Sequence, residues 1–356
     1  MKKIVILSLL ILVLASYVGQ SGYGAFSQTT ATSGGLKTDA KYWVSGQIND
    51  NQFLSIIQQL VNNGTIVLAL PQTHSTFPQS ITNLNCTSSP SPGIDWSGCD
   101  LSGRNLSNVN LSGADLSGAI LRGVNLSKAN LSGADLSGAN LYGATLTGAN
   151  LQGTKFYGTN FESANLNGAI LSDAKFAGAN LDNANLSGSN LAFESLVDVK
   201  LHNTNLRNSD LSGADLSRAY IAGAKLTNGR FYGTNFFAAN LQGTDLSNSE
   251  LAGANFFNAN LAGANLSSAD LPDVNLSFAD LTGSTLSGAS LVDSKLTWAK
   301  IDEAKLEGSD LSGADLSNAD LTGADLHNTD LSDAKVDNTK LYNTIRLCLN
   351  NPICLH

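Results

Sequence analysis

The chain carries four histidines, four cysteines and one oddly placed glutamate, and these are its first candidates for chemistry. A general base must lie within hydrogen-bond reach of the proton it takes, and a nucleophile beside its base. His74, His202, His327 and His356 are not neighbours in sequence, and Ser, although abundant, has no base beside it. Asp recurs at regular spacing throughout, so no Asp pair is singled out as an acid–base couple. We therefore assign no catalytic residue and expect a non-enzyme without cofactor or metal. The cysteines fall in two pairs, Cys86 with Cys99 and Cys348 with Cys354. Four cysteines permit three disulfide pairings. A zinc site would need four ligands around one point, and the chain has no CxxC.

The elements that position these residues are set by a period of five. From Leu101 to Leu341 every fifth residue is apolar: 49 positions, of which 40 are Leu, six Phe, two Ile and one Val. Two residues before each runs a second, smaller series: Ala in 28 of the 49 places and Ser, Thr, Val or Gly in most others. Asn or Asp most often lies between the two, as in Ala114-Asp115-Leu116-Ser117-Gly118. A period of five fits neither a helix (3.6) nor an alternating strand (2.0). A fixed repeat instead marks a solenoid, whose units bury their apolar side only by stacking on neighbours.

This run, residues 99–343, resembles the pentapeptide-repeat family, whose pattern is Ala-(Asp/Asn)-Leu-x-x in tandem. The resemblance implies an all-β solenoid, a right-handed quadrilateral β-helix. Four pentads form one square coil of 20 residues, with Leu or Phe pointing to the axis. Forty-nine pentads then make about 12 coils, and strand spacing of ~4.8 Å gives a rod of roughly 58 Å. Such a rod holds its ends apart, so proximity favours disulfides Cys86–Cys99 and Cys348–Cys354, each pinning a cap. Caps keep open coil edges from pairing with other chains.

A 20-residue coil also sorts positions into columns. Phe156, Phe176, Phe236 and Phe256 fall on one inner face as core. Tyr157, Phe237 and Phe257 share an outward column, and Phe278 and Trp298 the next. Together they form a candidate interaction surface, an exposed apolar stripe. Asp280, Lys300, Asp320 and Lys340 alternate in sign down one column, as do Lys295, Asp315 and Lys335, and Asp210, Arg230 and Glu250. These are expected to set register, each exposed pair contributing ~0–1 kcal/mol. Glu194 occupies a small inward position beside Phe193; it is expected to cause a bulge or to turn outward, since a buried carboxylate needs a partner.

Ahead of the repeat, Lys2-Lys3 precede an apolar run of 11 residues, Ile4 to Leu14, followed by small residues. That layout reads as a signal peptide over residues 1–25, and it is short for a membrane span. The domain plan continues with a Thr/Ser/Gly-rich linker at 26–37, a small helical module at 38–70 and a Pro/Ser-rich loop and N-terminal cap at 71–98. The β-helix at 99–343 and a C-terminal cap at 344–356 follow. In the module Asn49 is placed as an N-cap, and Phe53, Ile56, Ile57, Leu60 and Val61 form one helical stripe. The string from Trp43 to Gly64 resembles a short module of exported proteins of ammonia-oxidising archaea, which implies the outside of an archaeal cell.

The functional expectation is an exported, extracytoplasmic, non-enzymatic scaffold with a protein or cell-envelope partner. Membrane contact is expected only through the N-terminal segment if it stays uncleaved. A DNA-mimic topoisomerase inhibitor, a role known in the family, is the alternative. Duplex DNA carries one charge per ~1.7 Å, about 34 over the rod's length. The whole chain's net charge is only −9, so no nucleic-acid partner or mimicry is expected. A polysaccharide-active β-solenoid enzyme is the remaining alternative, without residues to support it.

Overall fold

The computed structural model describes residues 86–345, 348–351 and 354, all within the compact unit Pro78–His356. The signal peptide, linker and helical module lie outside the described residues. From Asp95↔Asp115 to Asp320↔Lys340, the residue just before each apolar position forms a parallel bridge with the residue 20 further on, Lys175 excepted. The coil therefore closes after four pentads. Among the described residues there is no α-helix.

Each pentad turns one corner. In Leu116–Ile120 the Ala119 amide donates to the Leu116 carbonyl at 3.0 Å, and Gly118 has φ +65°. A bonded four-residue turn with positive φ at its third residue is the type II arrangement, which asks for Gly or Asn there. Most corners supply one or the other.

The five amides of one pentad all find acceptors. The Leu116 amide donates to Asp135 and that of Gly118 to Ser137, both on the following coil, while Ile120 donates to Cys99 on the preceding one. Ala119 closes the turn. The fifth amide, Ser117, donates to the Asp115 side chain at 2.9 Å. This last bond explains the Asn/Asp preference: a short side-chain oxygen reaches the amide two residues on, an Asx turn. Elsewhere Asn165, Asn255 and Asp325 serve Asn167, Phe257 and His327 in the same way. With backbone groups satisfied locally, a shell of turns tolerates burial.

Inside, the Leu/Phe positions are fully buried from Trp96 to Leu331. Each contributes on the order of 1.5–3 kcal/mol. Trp96 fills the apolar position of a pentad earlier than the repeat as read from sequence, so the ladder begins within the segment assigned to the N-terminal cap. Phe236 and Phe256 stack at 4.7 Å, and Phe156 meets Phe161 and Phe176 at 4.9 and 5.2 Å. Where Thr takes the small position it donates to a carbonyl, usually of the previous coil, as Thr159 to Leu136 at 2.7 Å, and at Thr244 to Leu241 of its own turn.

Asn side chains also form ladders along the axis. Asn255 donates to Asn235 at 3.0 Å and accepts from Asn275 at 3.2 Å. Changing Asn255 to Ala removes these and the Asx bond to Phe257; the expected loss is about 1–3 kcal/mol in urea unfolding. Lys305→Ala, at an equivalent place without an Asx bond, should change stability by less than about 0.5 kcal/mol.

Candidate functional site

The aromatic stripe forms on the outside of the face whose inner row is Phe236, Phe256, Leu276 and Leu296. Phe237 and Phe257 are parallel at 5.9 Å, Phe257 meets Phe278 at 5.3 Å, and Phe278 stacks on Trp298 at 6.3 Å with planes 5° apart. Four successive coils therefore carry one continuous aromatic ladder. Phe237, Phe278 and Trp298 are exposed and Phe257 half-buried. Tyr157 is exposed too, but Ala177, Val197 and Ser217 stand between it and Phe237 in the column. The structure thus brings together four of the five stripe residues and leaves Tyr157 apart.

Phe278 and Trp298 occupy the left-handed corner, each at φ +61°. That conformation is unfavourable for a bulky side chain, by about 1–2 kcal/mol. Strain of this kind collects at functional surfaces. The sequence held a signal for it: the stripe shifts from the second pentad place at Phe257 to the third at Phe278, where Gly and Asn are usual.

The charge columns are built with one polarity. Lys300 reaches Asp280 at 3.8 Å, Lys340 reaches Asp320 at 2.9 Å, Lys335 reaches Asp315 at 3.9 Å and Arg230 reaches Asp210 at 2.9 Å. Lys155–Asp135 and Arg218–Asp198 follow suit. In each pair the base leans one coil back towards the N-terminus. Glu250 instead accepts a hydrogen bond from the Tyr232 hydroxyl. The Thr322 hydroxyl and then the Lys340 ammonium hold the Asp320 carboxyl below the usual carboxylate range.

Glu194 stays inward and is buried. Its carboxylate accepts the Asp173 amide of the preceding coil at 2.6 Å. Around it the ladder opens: between Gly168 and Val197 seven interturn backbone bonds seen on neighbouring coils are missing, including those from the Leu171, Phe176 and Gly178 amides. The Lys175↔Ser195 bridge is absent as well. From Trp96 to Leu331 this is the one interior seam among the described residues. A glutamate is too long for the alanine slot, so it wedges two coils apart. Phe193, at φ +62°, lies out on the surface over Gly213. Burial pushes the Glu194 carboxyl up, against the Asp173 amide bond and the nearby Lys175.

The disulfides are Cys86–Cys99, with Cα atoms 5.6 Å apart, and Cys348–Cys354, at 5.1 Å. His202 Nδ1 lies 3.0 Å from Asp182, with no hydroxyl or thiol bonded to the ring among the described residues. Those residues also hold no cluster of three or more metal-ligating side chains.

These features define a parallel β-helix with a strained aromatic ladder on one face. A family model described as "Pentapeptide repeats" matches in eight overlapping copies between residues 93 and 345, so the chain belongs to the pentapeptide-repeat family. Among solved structures it is similar to HetL, a pentapeptide repeat protein involved in heterocyst differentiation regulation from the cyanobacterium Nostoc sp. strain PCC 7120. Identity is 28%, with 71% of this chain and 90% of that one covered, TM-score 0.22. Full-length QnrB1, a plasmid-mediated fluoroquinolone resistance protein, is 20% identical over 69% of this chain and 92% of that one, TM-score 0.17. A pentapeptide repeat protein of the Arabidopsis thaliana thylakoid lumen is 33% identical over 33% of this chain and 66% of that one, TM-score 0.14. No curated protein matches the chain.

The seam gives a stability test with a defined sign. A carboxyl raised by folding contributes stability that is present below its unfolded value and lost as pH climbs through the folded one. The gap by which Glu194→Gln exceeds wild type in urea unfolding should therefore be near zero at pH 4 and widen towards pH 7. Asp320 works oppositely: its contribution is present above the unfolded value and disappears as pH falls through the lowered one. Glu194→Ala, which restores the usual small residue, should stabilise the chain at pH 7 by about 1–3 kcal/mol.

Proposed function

We propose that this chain is an exported, non-enzymatic binding scaffold: a right-handed quadrilateral β-helix of about 12 coils that presents the Phe237–Trp298 ladder to a partner outside the cytoplasm. The observation that carries the reading is the ladder itself. Two of its four members sit at corners where Gly or Asn would relieve strain, and their rings contribute nothing to the buried core. Large aromatics held in the open favour association, because a partner removes apolar area from water at about 25 cal/mol per Å². Export is supported by the basic-then-apolar N-terminal sequence and by the two disulfides, which suit an oxidising compartment.

The DNA-mimic alternative fares worse. Mimicry needs an unbroken acidic face, and here lysines and arginines lean onto Asp135, Asp210, Asp280, Asp315 and Asp320. An enzyme reading finds Ser and Thr hydroxyls bonded to the Asp carboxylates of the repeat itself, as Ser137 to Asp135 and Thr322 to Asp320, and no hydroxyl or thiol on a histidine among the described residues.

The test compares the full chain with a variant carrying Phe237→Ser, Phe257→Ser, Phe278→Asn and Trp298→Asn, by light scattering and by capture from native cell-envelope extract. The variant should stay folded, because its replacements suit the corners, and should lose the captured material or self-association. Equal capture and equal mass for both proteins would refute the ladder as the working face.

A further inference from the structure

The aromatic ladder ends in a way that fits a particular ligand. Trp298 has one face stacked on Phe278. Its other face looks towards the next coil, where the same column holds only Asn318. No ring and no cation covers that face among the described residues. Beneath it opens a shallow hollow of about 440 Å³, with Trp298 and Asn318 at one side and Lys300, Asp302, Asp320, Thr322 and Lys340 at the other.

The hollow is electrically balanced: two lysines face two aspartates. The charged groups are also already held in place. Asp320 accepts the Thr322 amide and hydroxyl through Oδ1, at 3.1 and 2.6 Å, and Lys340 through Oδ2 at 2.9 Å. The Thr282 hydroxyl lies 2.9 Å from Asp302 Oδ1 and 2.6 Å from Asp280 Oδ1, so the two carboxylates share its one proton. A carboxylate oxygen accepts two bonds and an ammonium donates three, so each retains capacity turned towards solvent. A fixed, neutral set of donors and acceptors beside a bare indole face excludes two ligand classes. A cation that Trp would attract meets two lysines, and an anion meets two carboxylates.

We infer that the Trp298 hollow binds a neutral carbohydrate, a pyranose unit of an uncharged glycan. A pyranose has a belt of C–H groups on one face and hydroxyls around its rim. The C–H face packs on the free side of the indole, and the rim hydroxyls reach the Asp302, Asp320, Thr322 and Lys340 groups. Phe257 and Phe278 cannot do the same, since each has a ring neighbour on both sides along the axis, and Phe237, which ends the ladder on the side of Ser217, stands away from this hollow. The sugar therefore docks at the end of the ladder and not along it. The strained backbone of Trp298 is consistent with a side chain retained for its exposed face. The inference rests on the binding-scaffold reading and names the ligand class at one end of the proposed surface.

The experiment applies a neutral and acidic glycan array to the full-length protein, then titrates the best neutral oligosaccharide while following tryptophan emission. The chain's other tryptophans are Trp43 and the fully buried Trp96, so the part of a saturable blue shift that is lost in Trp298→Asn reports the site. Trp298→Asn, whose new residue suits the corner, should weaken binding at least about tenfold. Asp320→Asn, which keeps an acceptor for Thr322, should weaken it several-fold, while Phe193→Asn should leave it unchanged. No neutral glycan bound above the Trp298→Asn background, or preferential binding of acidic glycans, overturns the inference. If the Phe237→Ser/Phe257→Ser/Phe278→Asn variant still loses a captured protein in that case, the scaffold reading survives and only the carbohydrate fails. If neither variant changes anything, both fall.

Discussion

Everything in this structure depends on the amide that the coil's own geometry leaves over. A square coil of type II corners pairs four of every five backbone amides through the turn and the neighbouring coils. The fifth points sideways, and the Asn or Asp just before the apolar residue takes it. Where that residue is Asn, its side-chain NH2 also donates to the coil before it, so one residue serves local turn and long-range stacking together. This is why the repeat unit is five residues of such fixed chemistry, and why the rod needs no strands of any length.

The repeat also fixes where variation is tolerated. Axis positions admit only Leu, Phe and a few relatives because the interior is closed. Beyond the first coil, where Cys99 and Arg104 take two of them, small positions hold Ala, Ser, Thr, Val and Gly, with Thr bonding back to a carbonyl. Glu194 violates that rule, and the structure answers by opening a seam and not by expelling the side chain. In a stacked array, stability is close to a sum of neighbour terms, so the seam is the weakest coupling along the rod. Outward positions are unconstrained by the core, which makes a run of aromatics there informative in a way that inner Phe residues are not.

Much of this was legible in the sequence. The period of five follows from spacing, and the family resemblance adds the inward Leu and Phe rows and a rod whose separated ends favour pairing of neighbouring cysteines. The family pattern supplies the 20-residue coil, and columns then bring Phe237, Phe257, Phe278 and Trp298 near one another. Other features were not legible. Column arithmetic could not show that Tyr157 stands apart, because the gap is made by what Ala177, Val197 and Ser217 lack. It could not give the lean of each ion-paired lysine and arginine towards the preceding coil. The role of Asn and Asp needed the direction of one amide. The outcome at Glu194 turned on a competition between wedging and exposure that residue types alone do not decide.

The most direct test of the account is residue-resolved amide hydrogen exchange along the oxidised chain. It predicts strong protection repeating every five residues from Leu101 to Leu331, with the amide two residues after each Asn or Asp protected more than its counterpart two residues after Lys or Ile. It also predicts one interruption, at Leu171, Phe176 and Gly178. Uniform protection through that region, or no difference between the Asn/Asp and Lys/Ile corners, would contradict it.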